Sequence, residues 1–148
     1  PVDSDSMVGQ KAPDIDTKFL DGSSFTLAGQ KGKVVVLDFW ATWCGPCVRA
    51  LPELATVAKG FSSDQVILVA VNQGEAKKVI SPFLKQKNLK DLIVALDRNE
   101  NIGEKYKVQG IPKTVVIDSK GVIRYVHVGY SSGMGERLKT EIKSLLKE

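Results

Sequence analysis

The sequence has few of the residues from which metal sites and disulfide scaffolds are built. Its 148 residues include two cysteines and one histidine. A secreted disulfide scaffold carries more cysteines, spread along the chain, and a structural zinc site needs four ligands. Cys44, Cys47 and His127 cannot supply four, so a zinc site of cysteine and histidine is excluded. The closely spaced cysteine pair instead favours redox chemistry.

Long apolar runs and concentrated charge are also missing. No run approaches the roughly 18–20 residues that a membrane-spanning helix needs. The net charge is +4 with scattered lysines, whereas nucleic-acid-binding proteins concentrate basic residues on one face. The densest basic stretch, residues 85–90, is typical of the solvated end of a helix. We therefore expect no nucleic-acid partner and one soluble globular domain, for which 148 residues suffice.

Apolar patterns along the chain predict alternating strands and helices. The predicted elements are strands at 34–40, 66–71 and 92–96, helices at 46–61, 75–88 and 101–107, a hairpin with strands at 114–118 and 122–128, and a C-terminal helix with Met134, Leu138, Ile142 and Leu145 on one face. Pro52 should kink the first helix and Pro82 should interrupt the second. Strands separated by helices imply parallel pairing, and the hairpin adds an antiparallel edge. The sequence thus predicts an α/β fold with a mixed central sheet between helices.

The N-terminal part predicts a smaller unit. Residues 15–19 and 25–27 are expected to pair as a hairpin that turns at Asp21-Gly22. Residues 1–8 are expected to form a loose segment, and residues 9–148 one domain. Because the chain begins at Pro1 rather than Met, a signal or membrane anchor could have preceded it.

Cys44 and Cys47 stand where a predicted strand passes into a helix. At a helix N-terminus, unpaired N–H groups and the positive end of the dipole favour a thiolate over a thiol. Residues three apart face the same way on a helix, so a small backbone adjustment closes a disulfide. We expect Cys44 to be the exposed nucleophile and Cys47, one turn in, the resolving thiol. A Cys-x-x-Cys that holds a metal or does nothing is the alternative.

Residues 37–47, LDFWATWCGPC, strongly resemble the active-site segment of thioredoxins, and the likeness extends from about Gly9 to Leu146. It implies a thioredoxin-like fold with an N-terminal hairpin extension and a central insert. Residues 110–114, GIPKT, resemble the cis-proline loop of that family. The resemblance implies that the Ile111–Pro112 bond is cis and lies beside Cys44, where the Ile111 backbone pairs with substrate. Without the resemblance, an ordinary trans proline is equally compatible with these residues.

A narrower likeness is to TlpA/ResA-like thioredoxins, which are membrane-anchored outside the cytoplasm. Residues 9–13 and 32–33 resemble their N-terminal extension, and the segment that starts at residue 72 resembles their insert. This resemblance implies that Glu75 handles a proton near the cysteines. A glutamate in the first turn of a helix, favoured by the dipole, is an equal alternative.

The family likeness also assigns the residues around the cysteines. Thioredoxins carry a buried aspartate at the place of Asp38, whereas many TlpA-like proteins carry asparagine. Burial raises the pKa of a carboxyl, which suits a base for Cys47. Trp43 is expected to be exposed and to bind substrate with Gly45 and Pro46. Two further side chains are expected to be structural, namely Trp40 in the core and His127 at the surface or partly buried.

The resemblance implies a protein-disulfide reductase that needs no cofactor and acts in the periplasm or another extracytoplasmic space. We expect a monomer that reduces a disulfide-containing protein, with apocytochrome c as a candidate, and a membrane thiol transporter as electron donor. Gly45-Pro46 resembles the reducing thioredoxins rather than strong oxidants. The alternatives are a general cytoplasmic thioredoxin, a peroxiredoxin-like enzyme, and a redox-inactive binding module or metal carrier on the same fold.

Overall fold

The computed structural model describes residues 6–148, which form seven strands and four α-helices. The strands are β1 (Asp16–Lys18), β2 (Ser24–Thr26), β3 (Val34–Trp40), β4 (Val66–Gln73), β5 (Val94–Asp97), β6 (Lys113–Ile117) and β7 (Ile123–Val128). The helices are α1 (Gly45–Lys59), α2 (Lys77–Gln86), α3 (Asn101–Lys105) and α4 (Met134–Leu146). The predicted alternation of elements is confirmed from β3 to α4, with ends that differ by a few residues.

The central sheet has the strand order β5-β4-β3-β6-β7. The pairs β3–β4 and β4–β5 are parallel, because a helix connects each pair. The pairs β3–β6 and β6–β7 are antiparallel, and β6 and β7 form the closing hairpin. The predicted mixed sheet is therefore confirmed.

All seven residues of β3 are buried, as its continuous apolar run predicts. Alternate side chains enter two cores on opposite faces of the sheet. Val36 and Trp40 pack in the core under α1, α2 and α4, whereas Leu37 and Phe39 pack in the core that includes α3 and the N-terminal hairpin. Cys44 and Cys47 belong to the first of these cores.

The predicted N-terminal hairpin is confirmed, with Thr17 of β1 opposite Phe25 of β2. It covers the free edge of β5, where Phe19 bridges to Ala95. Of the segment expected to be loose, residues 1–5 lie outside the described residues. Met7 is only 3% exposed in the second core, so the packed chain starts before the predicted boundary at residue 9.

The second helix differs most from its prediction. It begins at Lys77 rather than Glu75, and Pro82 lies inside it without interrupting it. A proline removes one hydrogen bond, but Ile80 and Leu84 on either side of it are buried in the core and hold the helix in place. Packing thus outweighs the local preference of proline.

We expect Ile142→Ala to lower the free energy of unfolding by about 2–5 kcal/mol, because the substitution leaves a cavity in a packed core. Ile142 is fully buried on α4. Urea unfolding measures the change. The exposed neighbour Lys143 provides the control, since Lys143→Ala should stay within about 0.5 kcal/mol of wild type. Equal losses for both variants would contradict this packing.

Candidate active site

Cys44 and Cys47 form a disulfide at the N-terminus of α1, with their Cα atoms 5.2 Å apart. Cys44 is the N-cap residue in an extended conformation, and Pro46 lies in the first turn. The backbone N–H of Cys47 donates a hydrogen bond to Sγ of Cys44 at 3.2 Å. The predicted seat of Cys44 among the free N–H groups of a helix is therefore present.

The exposure of the two cysteines differs less than the sequence suggested. Cys44 is 5% exposed and Cys47 is 0% exposed, so the expectation of an openly exposed Cys44 is wrong. Trp43 is 74% exposed beside it, and Gly45 and Pro46 are also exposed. Solvent therefore touches Cys44 and no part of Cys47.

A proline loop faces the disulfide, and its Ile111–Pro112 bond is cis, as the family likeness implied. Sγ of Cys44 lies 3.7 Å from the carbonyl oxygen of Ile111. Within residues 6–148, the backbone N–H of Ile111 donates no hydrogen bond. An unpaired N–H and carbonyl thus lie next to the sulfur that solvent reaches.

Two contacts hold this loop, and sequence reasoning missed both. Lys113 is buried, and its Nζ donates hydrogen bonds to the carbonyl oxygens of Tyr106 at 3.0 Å and Lys107 at 3.3 Å. On the other side, the N–H of Gly129 donates to the carbonyl oxygen of Pro112 at 2.8 Å. The available signal in the sequence was Lys113 itself, a charged residue next to the apolar run 114–117, where a lysine has to find buried partners.

Asp38 is 0% exposed in the middle of β3. It alternates with Val36 and Trp40 on the face of the sheet that also packs Cys47. The hydroxyl of Thr114 donates a hydrogen bond to Oδ1 of Asp38 at 3.3 Å, while Oδ2 has no partner among residues 6–148. Burial raises the pKa of Asp38 to about 8. The predicted burial and raised pKa are therefore confirmed.

Glu75 has a different environment. Its carboxylate accepts hydrogen bonds from the N–H of Thr42 at 2.8 Å, from the hydroxyl of Thr42 at 2.5 Å, and from the side-chain amide of Asn72 at 2.8 Å. The first turn of α2 contains no acidic residue, so the first-turn interpretation of Glu75 is wrong. Glu75 instead binds the main chain two residues before Cys44.

An open cleft with a volume of about 520 Å³ lies between Trp43, Glu75 and the Ile111 loop. It is lined by Trp43, Glu75, Glu100, Ile111 and residues 73–74 and 108–110. Because Trp43 precedes Cys44 and Ile111 contacts its sulfur, the cleft lies next to the Cys44–Cys47 disulfide. It brings together three residues that the sequence assigned separately: Trp43, Glu75 and Ile111.

The two structural assignments have different outcomes. Trp40 is fully buried, as expected. His127 is only 8% exposed and pairs with Glu141, so it is more deeply buried than the expected surface or partly buried position. Alternation along β7 directs it toward α4, where Glu141 supplies its partner.

Comparisons with known proteins agree with this arrangement. The redoxin family matches residues 7–142. The thioredoxin-like protein YneN of Bacillus subtilis is 38% identical over 123 residues, which cover 82% of this chain and 71% of YneN. The thiol-disulfide oxidoreductase ResA of Bacillus subtilis is 36% identical over 121 residues, which cover 82% of this chain and 67% of ResA.

A solved structure confirms the thioredoxin-like fold. The exposed lipoprotein thioredoxin Etrx1 of Streptococcus pneumoniae matches with a TM-score of 0.77 at 28% sequence identity. The match covers 90% of this chain and 100% of that chain.

We expect the free energy of unfolding of Asp38→Asn, relative to that of the wild type, to increase as the pH rises from about 4 to 8. Between the ordinary aspartate pKa of 3.8 and the folded value of about 8, the folded wild type holds a proton that the unfolded chain has lost. The free energy of unfolding of the wild type therefore falls over this interval. Asparagine does not ionise, so the variant lacks this fall.

Urea unfolding of the oxidised protein at a series of pH values measures the difference. Asp64→Asn is the control because Asp64 is exposed, and it should follow the wild-type curve. A constant difference between Asp38→Asn and wild type at all pH values would contradict the raised pKa of Asp38.

Proposed function

This chain belongs to the redoxin family, and from that premise we propose that it reduces disulfide bonds of protein substrates. It is a thiol–disulfide oxidoreductase with Cys44 and Cys47 as its redox pair. The observation that carries the proposal is the position of Cys44. It is the cysteine that solvent reaches, and it lies at a helix N-terminus against the free backbone of Ile111.

The first step is attack by Cys44. In the reduced protein, the Cys44 thiolate is stabilised by the N-terminus of α1, where the N–H of Cys47 points at its sulfur. The thiolate attacks one sulfur of the substrate disulfide. The substrate S–S bond breaks, a mixed disulfide with Cys44 forms, and the other substrate sulfur leaves as a thiolate.

The second step is resolution by Cys47. Its thiol gives up a proton and attacks Sγ of Cys44, which forms the Cys44–Cys47 disulfide. The second substrate sulfur leaves as a thiolate and takes up a proton. Two electrons have then passed from the enzyme dithiol to the substrate disulfide.

The substrate contacts follow from the exposed groups around Cys44. An extended substrate segment pairs with the backbone N–H and carbonyl of Ile111, which the cis bond to Pro112 places beside the sulfur. Trp43 offers its exposed ring, and Gly45 and Pro46 leave the approach open because they carry little side-chain bulk.

The two carboxylates have different roles in this proposal. Asp38 takes the proton of Cys47, because it is buried on the same face of the sheet and its raised pKa of about 8 suits proton exchange near neutral pH. Glu75 is a positioning residue, because three hydrogen bonds commit its carboxylate to Thr42 and Asn72. Glu75 thereby fixes the segment that carries Trp43 and Cys44.

We propose that the protein acts outside the cytoplasm. We also propose that it is a monomer and that its reaction needs no cofactor. The likeness to a lipoprotein thioredoxin described as exposed supports this location. No helix within residues 6–148 is long and apolar enough to cross a membrane. The proposed substrates are disulfide-containing proteins, with apocytochrome c as a candidate, and the proposed electron donor is a membrane thiol transporter.

We expect Cys47→Ser to accumulate a stable mixed disulfide with a disulfide-containing peptide, because no second thiol resolves it. Cys44→Ser should form no such complex, since Cys47 is inaccessible. Mass spectrometry under non-reducing conditions detects the complex. The wild type should accelerate insulin reduction by dithiothreitol, whereas neither Cys44→Ser nor Cys47→Ser should do so.

Two results would contradict the function. An insulin reduction rate equal to the uncatalysed control would favour a binding module. A reduction potential above about −150 mV would indicate an oxidant, since thioredoxin lies near −270 mV.

We expect Asp38→Asn to slow resolution by Cys47 by about 100-fold near neutral pH, the lower end of the range for general base catalysis. Glu75→Gln should lower the rate of attack by Cys44 but leave the shape of the pH profile of resolution unchanged. Reaction of the reduced protein with Ellman's reagent separates the steps. The first thionitrobenzoate released reports attack by Cys44 and the second reports resolution by Cys47.

A shift of the pH profile in Glu75→Gln, with none in Asp38→Asn, would reverse the two roles. Glu100→Gln serves as the matched control, because Glu100 lines the same cleft and does not bond to Thr42.

A further inference from the structure

Three buried polar side chains lie side by side on the face of the central sheet that packs Cys47. The strand register pairs Asp38 of β3 with Thr114 of β6, and Thr114 with His127 of β7. Facing residues of an antiparallel pair point to the same side of the sheet, with Cβ atoms about 4.5–5.5 Å apart. All three are buried, so a polar row runs from the centre of the sheet to its β7 edge.

This row continues onto α4. Nε2 of His127 lies 2.8 Å from both carboxylate oxygens of Glu141. Because a carboxylate only accepts hydrogen bonds, Nε2 is the donor to Glu141, and Nδ1 is an acceptor in the tautomer that carries its single proton on Nε2. Glu141 is itself buried at 9% exposure and lies on α4, which packs on this face of the sheet. The row thus ends at a carboxylate that solvent just reaches.

Two atoms of the row lack a partner. Oδ2 of Asp38 and Nδ1 of His127 are buried without a hydrogen bond to any of residues 6–148. A buried polar atom without a partner is costly. These two atoms belong to the residues on either side of Thr114, whose hydroxyl donates to Asp38. A hydroxyl can accept a proton on one side and donate on the other.

The proposed reaction has a use for such a connection. Asp38 must release the proton that it takes from Cys47 before the next turnover. Asp38 and Cys47 are both 0% exposed, and a substrate bound along Ile111 covers the opening at Cys44. A path to solvent that avoids the substrate site would let Asp38 release this proton while the substrate is still bound.

We propose that Thr114, His127 and Glu141 form a buried proton route that connects Asp38 with solvent at α4. This inference rests on the proposed role of Asp38 as the base for Cys47. The three residues touch no substrate, so they act through Asp38 as positioning residues.

The proton balance of the route involves no electron transfer. The Thr114 hydroxyl, which donates to Asp38 in this structure, must first rotate toward β7. The carboxyl of Asp38 then gives its proton to the oxygen of Thr114, and the hydroxyl proton of Thr114 passes to Nδ1 of His127. The resulting imidazolium is paired with the Glu141 carboxylate and releases one proton to solvent through it. The net change is one Asp38 carboxylate and one proton in water.

Other titratable and charged groups lie near His127. Tyr130 in the loop after β7 and Arg137 on α4 line the same cavity as His127, and Tyr125 lies two residues before it on β7. From α1, Glu53 accepts a hydrogen bond from Tyr130, and Arg49 lies over the Tyr130 ring. Tyr130 is occupied by a hydrogen bond to Glu53. Within residues 6–148, Glu141 is the hydrogen-bonding partner of the imidazole.

The release of the second thionitrobenzoate tests the route. We measure it across the neutral pH range for His127→Gln and Glu141→Gln, each in the wild-type and the Asp38→Asn background. Glu141→Gln keeps the shape of the side chain and remains informative if His127→Gln does not fold. Glu136→Gln is the matched control, because Glu136 is exposed on the same helix.

We expect His127→Gln and Glu141→Gln each to slow the second release by about tenfold at neutral pH. This slowing is smaller than the one expected from Asp38→Asn, which removes the base itself. The slowing should vanish at high pH, where hydroxide removes the proton. In the Asp38→Asn background neither variant should slow the release further, because residues on one route are not additive.

Three results would overturn the route. In the first, the second release keeps the wild-type pH profile in His127→Gln and Glu141→Gln, but the thermal stability of both variants falls. That result would mean that the His127–Glu141 pair is purely structural. The variants could slow the release equally in the Asp38→Asn background. If Asp38→Asn itself left the profile unchanged, the base assignment would fail, and the route with it.

Discussion

The antiparallel register between β3 and β6 is the constraint on which the whole site depends. It places Phe39 opposite Lys113 and Asp38 opposite Thr114, so the strand that leads to Cys44 and the strand that follows Pro112 meet at one end of the sheet. A slip of one residue would turn every side chain to the opposite face. The contact between Cys44 and Ile111 and the hydrogen bond between Thr114 and Asp38 would be lost together.

Features that depend on neighbours in sequence were predictable. The apolar run of β3 predicted a central strand, and the spacing of Cys44 and Cys47 predicted a disulfide at a helix N-terminus. The burial of Asp38 followed from the apolar residues around it. In each case the pattern itself contains the physical cause, namely side-chain period, helix geometry or desolvation.

Features that depend on a distant partner were not predictable from the residues alone, and the cis bond beside Cys44 was expected only from the family likeness. Glu75 contacts Thr42 across 33 positions, and His127 contacts Glu141 across 14. In sequence, each of these residues has an ordinary explanation as a solvated or capping group. Only the packing of α4 on the sheet, and of the residue 72–75 segment beside α1, decides which polar groups meet. Pro82 shows the same effect, since core contacts keep it inside a helix that its local preference would end.

Asp38 and Glu75 are two carboxyl groups near the cysteines whose environments differ in burial and in hydrogen bonding. Glu75 accepts three hydrogen bonds, which hold its carboxylate against the main chain before Cys44. Asp38 accepts one hydrogen bond from Thr114 and has an oxygen without a partner, so desolvation dominates and favours its protonated form. A carboxyl whose pKa is raised to about 8 suits proton exchange with a thiol, whereas Glu75 could not exchange a proton without releasing the segment that it holds. Under the proposed function, Asp38 inside the sheet transfers the proton and Glu75 outside it positions the nucleophile, so the two tasks belong to separate carboxyl groups.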